Sequence, residues 1–182
     1  MGNAYVRAGD IKAAAWAYGE ALNSNAGYDE IYFNRAIVDK KLGENARALD
    51  NLKVSAFLNP LNVTVFHAMA ELYVKDPATD FRDAADMFKG AVHVFPGDAN
   101  LLNTLGYFYT KVKNLRGAKE AYARAVKANP RDTMLAQNLF GVAAQLGLKD
   151  DPDLLWYRNY KEAEELLAAG DSSPAARSLA DR

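Results

Sequence analysis

Alanine returns at one spacing along most of this chain. Ala14, Ala48, Ala84 and Ala118 stand 34, 36 and 34 residues apart, and four residues after each comes a large apolar side chain, Tyr18, Leu52, Phe88 and Tyr122. Twelve residues after the last three of these alanines come Pro60, Pro96 and Pro130, with Ala26 in the matching place of the first unit. A period of this length restricts the fold severely. Each unit is one supersecondary element that cannot bury its apolar face alone, so neighbours must stack. A fixed alanine marks a place where two helix backbones come so close that a larger side chain would hold them apart. A proline just past the second helix stops it and sets the turn into the next unit.

The clearest unit is ANLLNTLGYFYTKVKNLRGAKEAYARAVKANPRD, from Ala99 to Asp132. Leu102, Leu105, Gly106 and Tyr109 mark one helical face, Ala118, Tyr122 and Ala125 a second, and Pro130 closes the unit. This resembles the tetratricopeptide repeat, W-x2-L-G-x2-Y, then A-x3-F, then P, in about 34 residues. Here Leu102 fills the tryptophan slot and Tyr122 the phenylalanine slot. The resemblance covers residues 1 to about 169. It implies an all-α fold, a right-handed superhelical solenoid of antiparallel helix pairs whose first helices line a concave groove and whose second helices form the convex back.

The frame divides the chain into a half repeat over 1–28, repeats over 29–62, 63–98 and 99–132, a degenerate fifth repeat with a cap over 133–170, and a flexible tail over 171–182. In the half repeat only Met1 to Ala8 remain of the first helix, Gly9 and Asp10 make the turn, and a second helix is predicted over about 11–22. Repeat two starts near Asp29, carries Tyr32, Ala36 and Asp39 on its first helix, and ends that helix at Gly43. In repeat three Phe66, Met69, Ala70 and Tyr73 hold the anchor slots. Tyr73 precedes Ala84 by 11 residues where the other units have nine, so KDPATD carries a two-residue insertion and is expected to be the most irregular turn. In the fifth unit Phe140 stands where glycine is usual and Ala143 where tyrosine is. Asp151 and Pro152 start a last helix running to about Ala169, with Trp156, Tyr160, Ala163 and Leu167 on one face. Such a helix suits the capping that an array needs at its end. From Gly170 onward small and polar residues run without period.

Composition narrows the function classes. The 182 residues carry 22 Lys and Arg against 23 Asp and Glu, a net charge of −1, which is not the basic excess of a nucleic-acid binder. There is no cysteine, hence no disulfide, thiolate nucleophile or cysteine-bound zinc; this fits cytoplasm or periplasm alike. No apolar run approaches the ~20 residues that span a bilayer, so no membrane insertion is expected. The opening MGNAYVRAGDIKAAAW lacks the form of a signal peptide, and Val6 stands where the myristoylation pattern wants Ser or Thr.

No cofactor, metal site or catalytic constellation is expected. His67 and His93 lie too far apart in the frame to act together, and no phosphate loop, nucleophile elbow or metal-spaced cluster occurs. Asp150, Asp151 and Asp153 lack the calcium-loop ladder and fit helix capping. His67 and Glu71, at i and i+4, fit an ion pair on a helix better than acid–base chemistry.

The groove that the resemblance implies holds the candidate binding residues: Phe33, Asn34, Ile37 and Lys41 in repeat two, His67, Glu71 and Lys75 in repeat three, Asn100, Asn103, Tyr107 and Lys111 in repeat four, and Gln137 and Asn138 in repeat five. Side-chain amides offer a donor and an acceptor together, which suits the main chain of an extended peptide whatever its side chains. Phe33, Ile37 and Tyr107 would add apolar contacts. The same pattern also fits a solvated face, since the column Arg7, Lys41, Lys75 and Lys111 is favoured by the dipole at each helix C-terminus without any ligand. The lysine–asparagine clamp with which some family members grip a chaperone's terminal carboxylate is missing: its slots hold Phe33 with Ile37, His67 with Glu71, and Asn103 with Tyr107.

Two features bear on assembly. Trp16 stands on a second-helix slot that usually faces solvent, and tryptophan is enriched in interface anchors. The absent half repeat is expected to leave Tyr5, Ala14, Tyr18 and Ala21 bare. On the order of 300 Å² of uncovered apolar helix face would forgo roughly 7 kcal/mol of burial. Upstream residues, a partner or a second copy would then cover them. The expected function is therefore a non-catalytic scaffold binding a protein or peptide segment in the groove. The alternative is a structural scaffold forming homo-oligomers through that open edge.

Overall fold

The computed structural model describes residues 1–24, 27–76 and 79–169. Ala26, Pro77, Ala78 and the tail from Gly170 lie outside the described residues, and with them the expectations for the first proline slot, the middle of the inserted turn and the C-terminal segment. Among the described residues the fold is an all-α helical repeat: α1 (Gly2–Arg7), α2 (Ile11–Ser24), α3 (Asp29–Lys41), α4 (Asn45–Leu58), α5 (Val63–Lys75), α6 (Phe81–Val94), α7 (Ala99–Lys111), α8 (Leu115–Ala128), α9 (Thr133–Gln145) and α10 (Pro152–Ala168). The chain divides between Thr79 and Asp80 into two compact units. The boundary falls inside repeat three, at the insertion.

In the first unit α1 packs on α2, α2 on α3, α3 on α4 and α4 on α5. In the second, α6 packs on α7, α7 on α8 and α8 on α9. The repeated alanines are what permit these pairs: Ala14, Ala48, Ala84 and Ala118 are each 0% exposed. Tyr18, Leu52, Phe88 and Tyr122, one helical turn further on, are buried as well. The first-to-second helix turns use one backbone device. Gly9, Gly43 and Gly147 have positive φ, of 80°, 80° and 70°. The matching position of repeat four is Lys113, with φ 63° and no glycine to relieve it.

In repeats one, two and four the glycine slot is matched in size to its partner, while repeat three holds Ala70 with Phe88. A Cβ on Gly106 would stand 2.6 Å from the Tyr122 ring, and one on Gly2 would stand 2.6 Å from the Tyr18 ring. Where the partner slot holds the smaller Leu52, the glycine slot holds Ala36, and both are buried. Gly2, at the very start of the sequence, is therefore a packing glycine in register with the rest.

That contact corrects the expectation of an open edge. Ala14 and Tyr18 are buried by the chain itself, in a cluster with Val38 against which Tyr5, Val6, Ile11, Ala15 and Ile31 pack, and the Tyr18 hydroxyl is hydrogen-bonded to the Asn3 side chain. Ala21 is half-buried. The close approach at Gly2 lets α1 cover the tyrosine ring. Trp16 is 62% exposed, as its slot predicts.

A second departure is Asp39, which fills the tyrosine slot of repeat two and is fully buried. Its carboxylate accepts from Arg35 Nε at 3.0 Å and Asn51 Nδ2 at 2.9 Å, with Arg47 Nε at 3.5 Å. Arg35 Nη1 also donates to the Ala15 carbonyl at 2.7 Å, tying α3 to α2. A buried carboxylate is tolerable only when paired in this way.

The cap differs from its predicted face. Leu154, Tyr157 and Ala163 are the buried residues of α10, while Leu167 is exposed and Trp156 and Tyr160 stack on each other half-buried, ring centroids 5.7 Å apart. The cause is local: Phe140 and Trp156 occupy slots that hold glycine and tyrosine in repeat four, and two large groups cannot share that space. Phe140 turns edge-on to Tyr157 instead, at 6.0 Å. Ion pairs hold the start of α10 to α8: Lys119 Nζ lies 2.9 Å from both Asp151 and Asp153, and Lys127 Nζ lies 2.8 Å from Asp153. Asp151 also caps α10 by accepting from the Asp153 amide at 3.0 Å.

Candidate functional site

The predicted binding residues fall in two sets, one in each unit. In the first unit α3 carries Phe33, Asn34, Ile37 and Lys41, and α5 carries His67, Glu71 and Lys75. A side-chain bridge links the two helices: Lys40 Nζ on α3 donates to Glu71 Oε2 on α5 at 2.6 Å. Lys75 Nζ, one turn along α5, donates to the other oxygen at 2.8 Å. Hydrogen bonds from Lys40 and then Lys75 lower the Glu71 carboxyl from its ordinary 4.5 to about 2. Glu71 thus serves as an ion-paired bridge, and Lys75 is the bridge's second arm. Phe33, Asn34, Ile37 and His67 are half-buried, and Lys41 is exposed. Lys40 was not singled out in the sequence because it lies one position outside the lysine column.

In the second unit the relevant helices are α7, with Asn100, Asn103, Tyr107 and Lys111, and α9, with Gln137 and Asn138. Asn138 Nδ2 donates to Asn103 Oδ1 at 2.8 Å, joining the two helices. The two residues are 35 apart, not 34, so this bond runs diagonally between neighbouring columns of the repeat. It leaves each side chain half-buried with unused amide capacity: the Asn103 amino group, the Asn138 carbonyl and a second Asn138 proton. Asn100 and Gln137 are exposed.

Lys111 is held rather than free. Its Nζ sits 5.1 Å from the Tyr107 ring centroid and 5.7 Å from that of Phe81 on α6, and the two rings meet edge-on at 6.4 Å. Each ring face attracts the cation. Phe81 is the aromatic residue that sequence reasoning missed. It opens α6 three residues before Ala84, in a slot that holds Ile11, Asn45 and Leu115 in the other units and so carries no aromatic signal.

Among the described residues no group of three or more His, Asp or Glu side chains is arranged to hold a metal ion. None of the helices is long and apolar enough to cross a membrane.

No protein-family model matches this chain, and a comparison with curated proteins finds no relative. Solved structures are similar in fold. A crystal structure of MamA aligns with a TM-score of 0.73 at 19% identity, covering 93% of this chain and 97% of that one. A tetratricopeptide repeat protein from Parabacteroides merdae aligns with a TM-score of 0.60 at 16% identity, over 99% of this chain and 80% of that one. The first tetratricopeptide domain of Spaghetti (RPAP3), bound to the HSP90 peptide SRMEEVD, aligns with a TM-score of 0.59 at 17% identity, over 68% of this chain and 96% of that one. The fold is the tetratricopeptide-repeat fold that the alanine, glycine and proline spacing predicts.

Proposed function

We propose that this chain is a non-catalytic scaffold that binds an extended segment of a partner protein along its first-helix faces, with α7 and α9 making the principal contacts. The observation that carries this is the bond between Asn138 and Asn103. It leaves one amide with a spare donor and the other with a spare acceptor, the pair that a single peptide group needs. Tyr107 stands one turn from Asn103 and supplies the apolar neighbour, backed by Lys111. In the first unit Lys41, Phe33 and Ile37 are the accessible groups, since Glu71 and Lys75 are engaged with each other. The peptide held by the RPAP3 domain supports this use of the fold.

The test is selection of binders from a displayed library of extended peptides on the full chain, followed by titration of the selected peptides. Replacing both amides, Asn103→Ala with Asn138→Ala, is expected to weaken binding tenfold or more, since each lost hydrogen bond to a buried peptide group is worth about 1–3 kcal/mol. Thermal unfolding should stay close to that of the parent. Selected peptides that bind the double variant as tightly as the parent would overturn the reading.

A further inference from the structure

The last turns of α4 carry an apolar ridge that the chain does not cover. Val54, Phe57 and Leu58 stand at i, i+3 and i+4, and Leu61 follows in the turn beyond. Phe57 is 85% exposed and Leu61 74%, and Val54 and Leu58 are exposed too. Together they present on the order of 400 Å² of apolar surface, enough for the centre of a standard interface of about 800 Å² per partner. The repeat frame shows that the fold does not require it: in repeat four the same places hold Arg124, Lys127, Ala128 and Arg131.

The second unit carries the inverse of this ridge. Between α6 and α8 runs an open groove of about 770 Å³, lined by Leu105 and Tyr109 of α7. Part of its wall is bare at Gly90. Gly90 takes the place that Val54 takes on α4, and a Cβ there would meet nothing within 4 Å. Among its charged lining residues, Asp86 and Glu120 lie nearer the helix N-termini and Arg124 nearer the C-termini, with Lys89 between.

We propose that a second copy of this chain seats its α4 ridge in the α6–α8 groove. Phe57 and Leu61 enter against Leu105 and Tyr109, and α4 lies antiparallel to α6 and α8. That direction brings exposed Asp50, one turn before Val54, to the Arg124 end, and it opposes the helix dipoles favourably. Ridge and groove are different surfaces, so the contact is heterologous: once two copies have joined, one has a free groove and the other a free ridge, and further copies add head to tail. This contact uses Leu105 and Tyr109 of α7 rather than Asn103 and Tyr107, and leaves the N-terminal edge untouched, so it stands independently of the peptide-binding reading.

The test is light scattering with sedimentation velocity over a concentration series of the full chain. The parent is expected to rise progressively above the 20.0 kDa monomer. Phe57→Glu, which spoils the ridge, and Gly90→Leu, which fills the groove, should each remain monomeric. Both positions are exposed, and leucine is the better helix former, so circular dichroism and melting should show both variants folded. Mixing the two restores one intact ridge and one intact groove, and should yield a dimer and nothing larger. A parent that stays monomeric, a Gly90→Leu variant that associates like the parent, or a mixture that stays monomeric would each overturn the proposal.

Discussion

Gly106 and Tyr122 act as one unit of volume. A methyl group on Gly106 would lie 2.6 Å from the buried Tyr122 ring, so one of the two must shift. Gly106→Ala is expected to cost about 1–3 kcal/mol by overpacking. Adding Tyr122→Leu, the pairing that Ala36 and Leu52 use, should recover a good part of that loss. A denaturant double-mutant cycle reads the coupling, and strictly additive effects would sink the size rule. Lys113 makes the opposite prediction: with φ 63° it bears a left-handed penalty that glycine avoids in three sister turns, so Lys113→Gly should stabilise by about 0.5–1 kcal/mol. The partners of Glu71, Lys40 and Lys75, are legible only in three dimensions. Its folded pKa, about 2, lies below its ordinary 4.5, so its bridge is fully present above pH 4.5 and is lost as pH falls toward 2. Because the bridge is solvent-exposed, Glu71→Gln should cost no more than about 1 kcal/mol at neutral pH and should remove that part of the acid sensitivity.

At the scale of the element, α10 is the helix most dependent on charge. Large residues at Phe140 and Trp156 deny it the close seat that α8 has on α7, and Lys119 and Lys127 hold its first turn through Asp151 and Asp153. Burial alone would raise the Asp153 carboxyl, but the hydrogen bonds from Lys127 and Lys119 outweigh it and hold the group below its ordinary value. The latch is therefore in place above the usual carboxylate range and opens as pH falls through the depressed value. Lys119→Met keeps the aliphatic stem and removes the charge, leaving two carboxylates short of a partner. Amide exchange in α10 is expected to quicken about tenfold, with the interior of α8 unchanged. Equal protection in parent and variant would show that apolar contact alone secures the cap.

At the scale of the molecule, stability in a repeat array is a sum of units and their neighbour contacts. The division between Thr79 and Asp80 places α6 to α9 in one packed succession with its own core of Phe88, Leu101, Leu102, Phe108 and Leu139. The fragment 80–182 is expected to remain helical and to melt cooperatively, as circular dichroism will show; a coil would mean that the unit borrows its stability. The helices, their order and the turns at Gly9, Gly43 and Gly147 are written in the sequence, because backbone contact at the alanine slots, left-handed turns at those glycines, and helix ends before the prolines are demands that few residues meet, so the repeat spells them out. The roles of individual surface residues are not. Whether Lys111 meets two rings, Lys75 a carboxylate, or Asn103 its neighbour's amide depends on distances between side chains far apart in the chain, and a one-residue offset decides it. Only the tertiary structure closes α1 over Tyr18 and tilts Trp156 out of its slot, since both turn on how much space remains once the neighbouring helix has been seated.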